Sequence, residues 1–351
     1  MPLLACDRVS SIVQTPDPVE YRRAAPSVEL GPVLVHVGYH RTGTTWLQRQ
    51  LFRNARAGLG LPLSKGTEIP PALVLPHPLD FDPASSRAAL HPPLLRTQES
   101  GLIPVLSSER IVGPLHAGGY DSKEMADRVK AVLPTARILI GIREQCSVIA
   151  STYKHYVKAG GPACLHDYLY PRERRRSVPR FDFKHFEYDR LIGYYQGLFG
   201  PERVLVVPFE RLTSDGPSLV GDILRFAGAT PSDGLLEELP YETPRNESLD
   251  GVAIAAKRHL NLLFSSQALN PRPVLPLKSG DRLTEAVLSS LQRRTPRRIS
   301  RRASERMRHG IAEAVGDRYA DSNRWTSELT GLPLDRYGYD CATSRPSSGS
   351  G

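Results

Sequence analysis

Cysteine is scarce in this chain: positions 6, 146, 164 and 341 are the only ones in 351 residues, and no C-x-x-C pair occurs. That excludes a disulfide framework and a cysteine-built zinc site, and it suits a reducing compartment. Histidine is not spaced with cysteine as metal ligands would be, so no metal is expected. No apolar run approaches a membrane span; the longest strings are strand-sized. The opening MPLLACDRVSS has acid and base close behind it and no sustained apolar stretch. A signal peptide is therefore not expected, and a cytoplasmic location is. Aromatic residues make up only 7%, and none interleave with the arginine runs, so no specific nucleic-acid partner is expected. No internal repeat is visible.

What is present is a core-forming composition, 40% hydrophobic, with a net charge of +9. The charge suits anionic ligands without naming one. Residues 1–30 carry proline and charge with little periodicity and read as a loose N-terminal arm; 31–342 read as one domain, and SRPSSGSG at 343–351 as a flexible tail. Largely apolar strings at 33–37, 103–108, 137–142 and 204–207 read as buried strands. Amphipathic helices are expected between them: 44–58 with Trp46, Leu47, Leu51 and Ala55 on one face, 122–133 stopped by Pro134, 144–160 closed by Gly160, 181–199, and 217–226. Residues 60–100, rich in proline, read as a long loop over an acceptor pocket or the surface. Strands and helices alternating at short intervals imply parallel pairing. The expected fold is α/β: a three-layer P-loop-type architecture with a central parallel sheet flanked by helices.

The chain is organised around VLVHVGYHRTGTTW, Val33 to Trp46. A glycine-bearing turn between a strand and a helix N-terminus gathers backbone N–H groups and the positive end of a helix dipole, which is an anion cradle. Gly38, Gly43 and Thr45 fit G-x-x-x-x-G-K-[ST], but Thr44 stands where the lysine belongs. That lysine spans the β- and γ-phosphates of a triphosphate, so its replacement points to a ligand with no γ-phosphate. Arg143 follows the strand RILIGI, where a P-loop NTPase would place an aspartate for magnesium. Ser151 lies two helical turns on. Two phosphate sites and no metal-holding acid describe a bisphosphorylated nucleotide.

The segment R-T-G-T-T-W resembles the 5′-phosphosulfate loop of the sulfotransferases that use 3′-phosphoadenosine 5′-phosphosulfate (PAPS), with Arg41 in place of the family lysine and His40 in place of the usual proline. Arg143, Ser151 and Tyr153 match that family's 3′-phosphate motif, R-x-x-x-x-x-x-x-S-x-Y, position for position. FGPERVLVVPFERL, PRNESLDG and RYADSNRWTSELTGLPLDRYGYD resemble later segments of bacterial members, so the resemblance extends from Val33 to about Asp340. It implies that Arg41, Thr42, Gly43, Thr44, Thr45 and Trp46 bind the 5′ side of PAPS, and Arg143, Ser151 and Tyr153 the 3′-phosphate. The R-K-G loop of animal members is missing, and Arg245 is its expected substitute. Transfer of a sulfuryl group to a hydroxyl or amine of a small-molecule, lipid or carbohydrate acceptor follows, without a metal.

Such transfer needs a base, an in-line nucleophile and cations where charge gathers on the leaving phosphate. Arg41 and the Thr44 and Thr45 groups meet the last need. Glu109, at the carboxyl end of its strand, is the expected base; the alternative is that it pairs with Arg41 or Arg143 and orders the site. His40 and His116 stand behind it as further bases, and Glu210 reads as a helix or turn anchor. RERRR at 172–176 and the arginine pairs at 293/294, 297/298 and 301/302 read as a solvated face, with an acidic acceptor, anionic lipid or nucleic acid as the other readings. A P-loop kinase and a basic nucleotide-binding adaptor without turnover are the competing functions.

Overall fold

The computed structural model describes residues 29–63, 71–171, 179–241, 250–264, 269–270, 273–275, 284, 287–288, 290–291 and 293–341. β1 (Leu34–Gly38) leads through the glycine turn into α1 (Thr44–Trp46), which runs on as one wide π turn, Leu47–Leu51. The helix expected to reach residue 58 stops there. Asn54 accepts from the Arg56 amide and starts a separate 3₁₀ turn, Ala55–Ala57, so Ala55 is exposed while Trp46, Leu47 and Leu51 are buried. Gly58 follows at φ 69°.

β2 (Leu59–Gly60), α2 (Pro71–Val74) and α3 (Pro83–Glu99) come next. α3 corrects the expectation of a long loop at 60–100. Asp82 caps it, accepting from the Ala84 and Ser85 amides, with Pro83 at a position whose amide is spare. Pro92 and Pro93 sit inside this helix, each removing a backbone donor, yet Leu90 and Leu94 are buried against the core and hold the segment helical. Tertiary packing overrides the proline count.

β3 (Ile103–Ser107), α4 (Ser122–Val132), β4 (Arg137–Ile142), α5 (Gln145–Lys158), α6 (Leu165–Leu169), α7 (Tyr188–Phe199) and β5 (Val204–Pro208) complete the sheet region. Glu144 caps α5 through the amides of Cys146 (2.7 Å) and Ser147 (2.8 Å). The expected helix 181–199 is split by Glu187 into a 3₁₀ turn, Phe183–Phe186, and α7. Further helices among the described residues are α8 (Glu210–Ser214), α9 (Gly216–Ala227), α10 (Leu235–Glu238), α11 (Gly251–Phe264), α12 (Arg297–Val315) and α13 (Ala320–Thr330), and described residues between 284 and 294 are also helical.

The five strands pair in the order β2-β3-β1-β4-β5, all parallel. The sequence shows four of them; β2 is too short to carry a period. Side chains alternate across the sheet. Val35, Val37, Ile138, Ile140 and Val206 join one core layer with α3, α4, α5 and α7, whereas Leu34, Leu139 and Val207 join the other with α1 and α9. The result is the expected three-layer α/β architecture. β1 is central and its end pairs Gly38 with Gly141 of β4, so the turn after β1 and the residues after β4 emerge side by side.

Candidate functional site

The turn after β1 is shaped by two left-handed residues, Arg41 at φ 71° and Gly43 at φ 85°. A Cβ on Gly43 would lie 3.0 Å from the Phe209 ring, and one on Gly38 would lie 2.8 Å from Thr44 Oγ1. Both glycines are therefore required by space, and Gly43 by torsion as well. Thr42 turns its hydroxyl inward onto the Tyr39 carbonyl at 2.5 Å and fixes the turn, while Thr45 is exposed at the start of α1. Arg41 donates from Nε to Ser151 Oγ at 2.9 Å. Arg143 donates to the Arg41 carbonyl at 3.1 Å and lays its guanidinium 4.6 Å from the Phe209 ring centre. The two halves expected from the sequence thus meet in space.

Arg143 has no carboxylate in contact among the described residues, and its Nε is buried without a hydrogen-bond partner. Burial pushes its pKa down, with Arg41 adding to that and Glu210 opposing it. Glu210 holds the turn: it accepts from the Glu144 amide at 3.0 Å and from the Tyr339 hydroxyl at 3.1 Å, as its reading as an anchor requires. Tyr153 lies on the buried face of α5, donating to the Ala163 carbonyl at 3.2 Å. Trp46 is also buried, its indole N–H on the Pro240 carbonyl at 2.8 Å and its ring stacked on Tyr241. Arg245 and RERRR at 172–176 lie outside the described residues, as do most of PRNESLDG, the tail from 342 and the arm up to residue 28.

Glu109 opens a 3₁₀ turn directly after β3, on the same rim. Its partner is His40, Nδ1 to Oε2 at 3.3 Å, rather than Arg41 or Arg143. Burial raises the Glu109 pKa, but His40, the nearby Thr44 hydroxyl and the charge of His36 outweigh it and leave the carboxyl below its ordinary value. The Thr44 hydroxyl is near enough to act on that carboxylate, yet closes no hydrogen bond of full geometry and is buried unpaired. The second nitrogen of His40 lies 3.3 Å from the Gly113 carbonyl. Both ring nitrogens of His40 thus face acceptor oxygens of the protein, the Glu109 carboxylate and the Gly113 carbonyl.

Three groups here carried no expectation. His36, on β1, is fully buried, with Nδ1 2.8 Å from Ser107 Oγ and Nε2 unpaired. Burial lowers it to about 4 against the opposing charge of Glu109. Phe209 supports Arg143 from below. His155 sits one helical turn beyond Ser151, and its Nδ1 is 3.0 Å from His116 Nε2. Only the i+4 spacing from Ser151 to His155 was visible in the sequence.

The arginine pairs do not form one continuous stripe, because Pro296 interrupts the helix between 293/294 and α12. On α12, Arg297, Arg301 and Arg308 line a cavity of about 310 Å³ with Ser300, Ser304 and Asp250. Among the described residues no group of three or more His, Cys, Asp or Glu is arranged to hold a metal, and no helix is long and apolar enough to cross a membrane.

No family model matches this chain, and no curated protein does either. Among solved structures, it is similar to a sulfotransferase from Alicyclobacillus acidocaldarius, at 19% identity and a TM-score of 0.44, spanning 72% of this chain and 100% of that one. It is also similar to the sulfotransferase domain of the Synechococcus PCC 7002 olefin synthase, at 16% identity and a TM-score of 0.37, spanning 75% of this chain and 96% of that one.

Proposed function

We propose that this chain transfers a sulfuryl group from PAPS to a hydroxyl or amine of a small-molecule, lipid or carbohydrate acceptor. The observation that carries the reading is the contact of Arg41 with Ser151 and of Arg143 with the Arg41 carbonyl, two cations from separate segments on one rim. The residues fit a bisphosphorylated nucleotide: the buried Thr44 hydroxyl and Arg143 Nε both lack partners, and Gly38 leaves the space a side chain would fill. Arg41 and the amides of Gly43 to Thr45 would hold the 5′ side, Arg143 and Ser151 the 3′-phosphate. Tyr153 and Trp46 support these segments from beneath. When bound, PAPS supplies a sulfuryl group on a phosphate leaving group.

Glu109, held as a carboxylate by His40, takes the acceptor's proton, and Arg41 offsets charge on the leaving phosphate. Thr44 in the lysine position and Arg143 in the aspartate position set the site apart from a kinase. The free thiols of Cys146, Cys164 and Cys341 support a cytoplasmic location.

The test combines transfer from ³⁵S-labelled PAPS to a panel of alcohols, phenols, amines and sugars with calorimetry of adenosine 3′,5′-bisphosphate (PAP). Wild type is expected to label an acceptor, and Arg143→Ala to bind PAP about 10- to 100-fold more weakly through loss of a charge-assisted contact. PAP affinity unchanged in Arg143→Ala, or turnover of ATP with magnesium and none of PAPS, overturns the reading. Binding without turnover of either favours the adaptor.

A further inference from the structure

Next to the loop, three side chains from three segments form a hydrogen-bonded chain. The Tyr168 hydroxyl of α6 is 3.0 Å from His116 Nδ1, and His116 Nε2 is 3.0 Å from His155 Nδ1. The two imidazoles stack at 5.2 Å, and Tyr156 closes on His116 edge-on. His116 belongs to a 3₁₀ turn, Leu115–Ala117, two residues past the Gly113 carbonyl that meets His40. His155 follows Ser151, the partner of Arg41, by one turn of α5. The chain therefore ends on the side of the loop where Glu109, His40 and Arg41 gather.

The direction of this chain follows from burial. Tyr168 is buried, and its hydroxyl has one partner among the described residues, His116 Nδ1. A buried hydroxyl left without an acceptor is costly, so Tyr168 donates. His116 then carries its hydrogen on Nε2 and donates to His155 Nδ1. His155 is left with its hydrogen on Nε2, which has no partner among the described residues, and the residue reaches the surface. The surroundings keep both rings uncharged: burial, His155 and His40 lower His116 to about 3, while burial, Arg41 and His40 lower His155, with Glu109 opposing.

We propose that His155 is a catalytic residue that presents a neutral Nε2–H, fixed by the Tyr168–His116 relay, to an oxygen of the sulfuryl group during transfer. The inference rests on the sulfuryl-transfer reading. His155 gives up no proton. The acceptor oxygen bonds to sulfur as the sulfur–oxygen bond to the phosphate breaks, and the acceptor's proton goes to Glu109. A neutral donor beside Arg41 and Lys158 avoids adding a third cation to the cluster, and it acts on charge that shifts in the transition state.

The test has a spectroscopic arm and a kinetic arm. Long-range ¹⁵N–¹H spectra of histidine-labelled full-length protein at pH 7 are expected to show His155 neutral with hydrogen on Nε2. Tyr168→Phe, which frees His116 to reverse, should bring in the Nδ1–H form. An imidazolium or an Nδ1–H tautomer at His155 in the wild type overturns the inference, whether or not PAPS is turned over. In transfer assays His155→Ala is expected to lower kcat about a hundredfold with PAP affinity unchanged, and His155→Gln, which restores a neutral N–H, to recover part of it. Normal kcat in a folded His155→Ala protein, beside an active wild type, sinks the inference and leaves the sulfuryl-transfer reading standing; an inactive wild type sinks both.

Discussion

Under the proposed function the shared rim divides in two: a phosphate rim takes Gly38, Arg41, Gly43 and Thr44 from one turn and Arg143 from the neighbouring strand end, whereas an acceptor rim draws Glu109, His116, His155 and Tyr168 from four separate segments. The first is a backbone device. Its shape comes from two left-handed residues and a register pair, Gly38 with Gly141, that places two strand ends together. The second is a side-chain device, held by hydrogen bonds between groups far apart in sequence. Substitutions in the first should therefore act on nucleotide affinity, and those in the second on the chemical step.

The largest expected effect lies on the acceptor rim. Glu109→Gln should lower kcat about 10²- to 10⁴-fold, the range for removal of a general base, with PAP affinity unchanged. Because the Glu109 carboxyl sits below its ordinary value, the wild-type activity should keep its acid limb below the usual glutamate range. A mutant with normal kcat would confine Glu109 to ordering His40, and with it the division of labour between the rims would fail.

A second effect belongs to the floor of the phosphate rim and is read as stability. His36 has an ordinary value of 6.5 and a folded value of about 4, so protons bind the unfolded chain more readily. Its contribution is complete above pH 6.5 and is lost as pH falls toward 4, at about 1.4 kcal/mol per unit, roughly 3 kcal/mol in all. His116, His155 and His185, also lowered, act in the same sense. His36→Leu should flatten the acid side of a stability–pH curve by the share of one histidine. Denaturation series at several pH values from 7 to 4 measure it; an unaltered slope would remove His36 from the account.

The same division explains what was legible in the sequence. The phosphate rim depends on glycine spacing and on cations at strand ends, and both are written in contiguous residues, so Arg41, Arg143 and Ser151 were found together. Glu109 was placed at its strand end beside the loop for the same reason, although its partner, His40, was not anticipated. His155 and Tyr168 were missed because their pairing with His116 depends on how α5 and α6 pack, which no local pattern records. His36 was hidden in an apolar string, where strand alternation turns it inward to Ser107. The proline-rich stretch 83–99 misled for a related reason: buried Leu90 and Leu94 decide its conformation, and composition does not report burial.

The smallest expected effect tests where the two rims join. Arg41 bonds Ser151 with its side chain, accepts from Arg143 with its carbonyl, and adds its field to His155 and Lys158. It does so from a left-handed backbone, which costs a residue with a Cβ about 1 kcal/mol and is retained where surrounding contacts fix it. Arg41→Lys keeps the charge and the backbone cost but loses the Nε donor to Ser151 and the planar fork. A drop in PAP affinity of about three- to tenfold is expected from one lost hydrogen bond. A few-fold fall in kcat should accompany it, because the repositioned charge no longer faces the leaving phosphate in the same way. Calorimetry with PAP and single-turnover transfer on the same preparation separate the two quantities. A change in affinity with kcat intact would make the rims independent, with Arg41 wholly on the phosphate side.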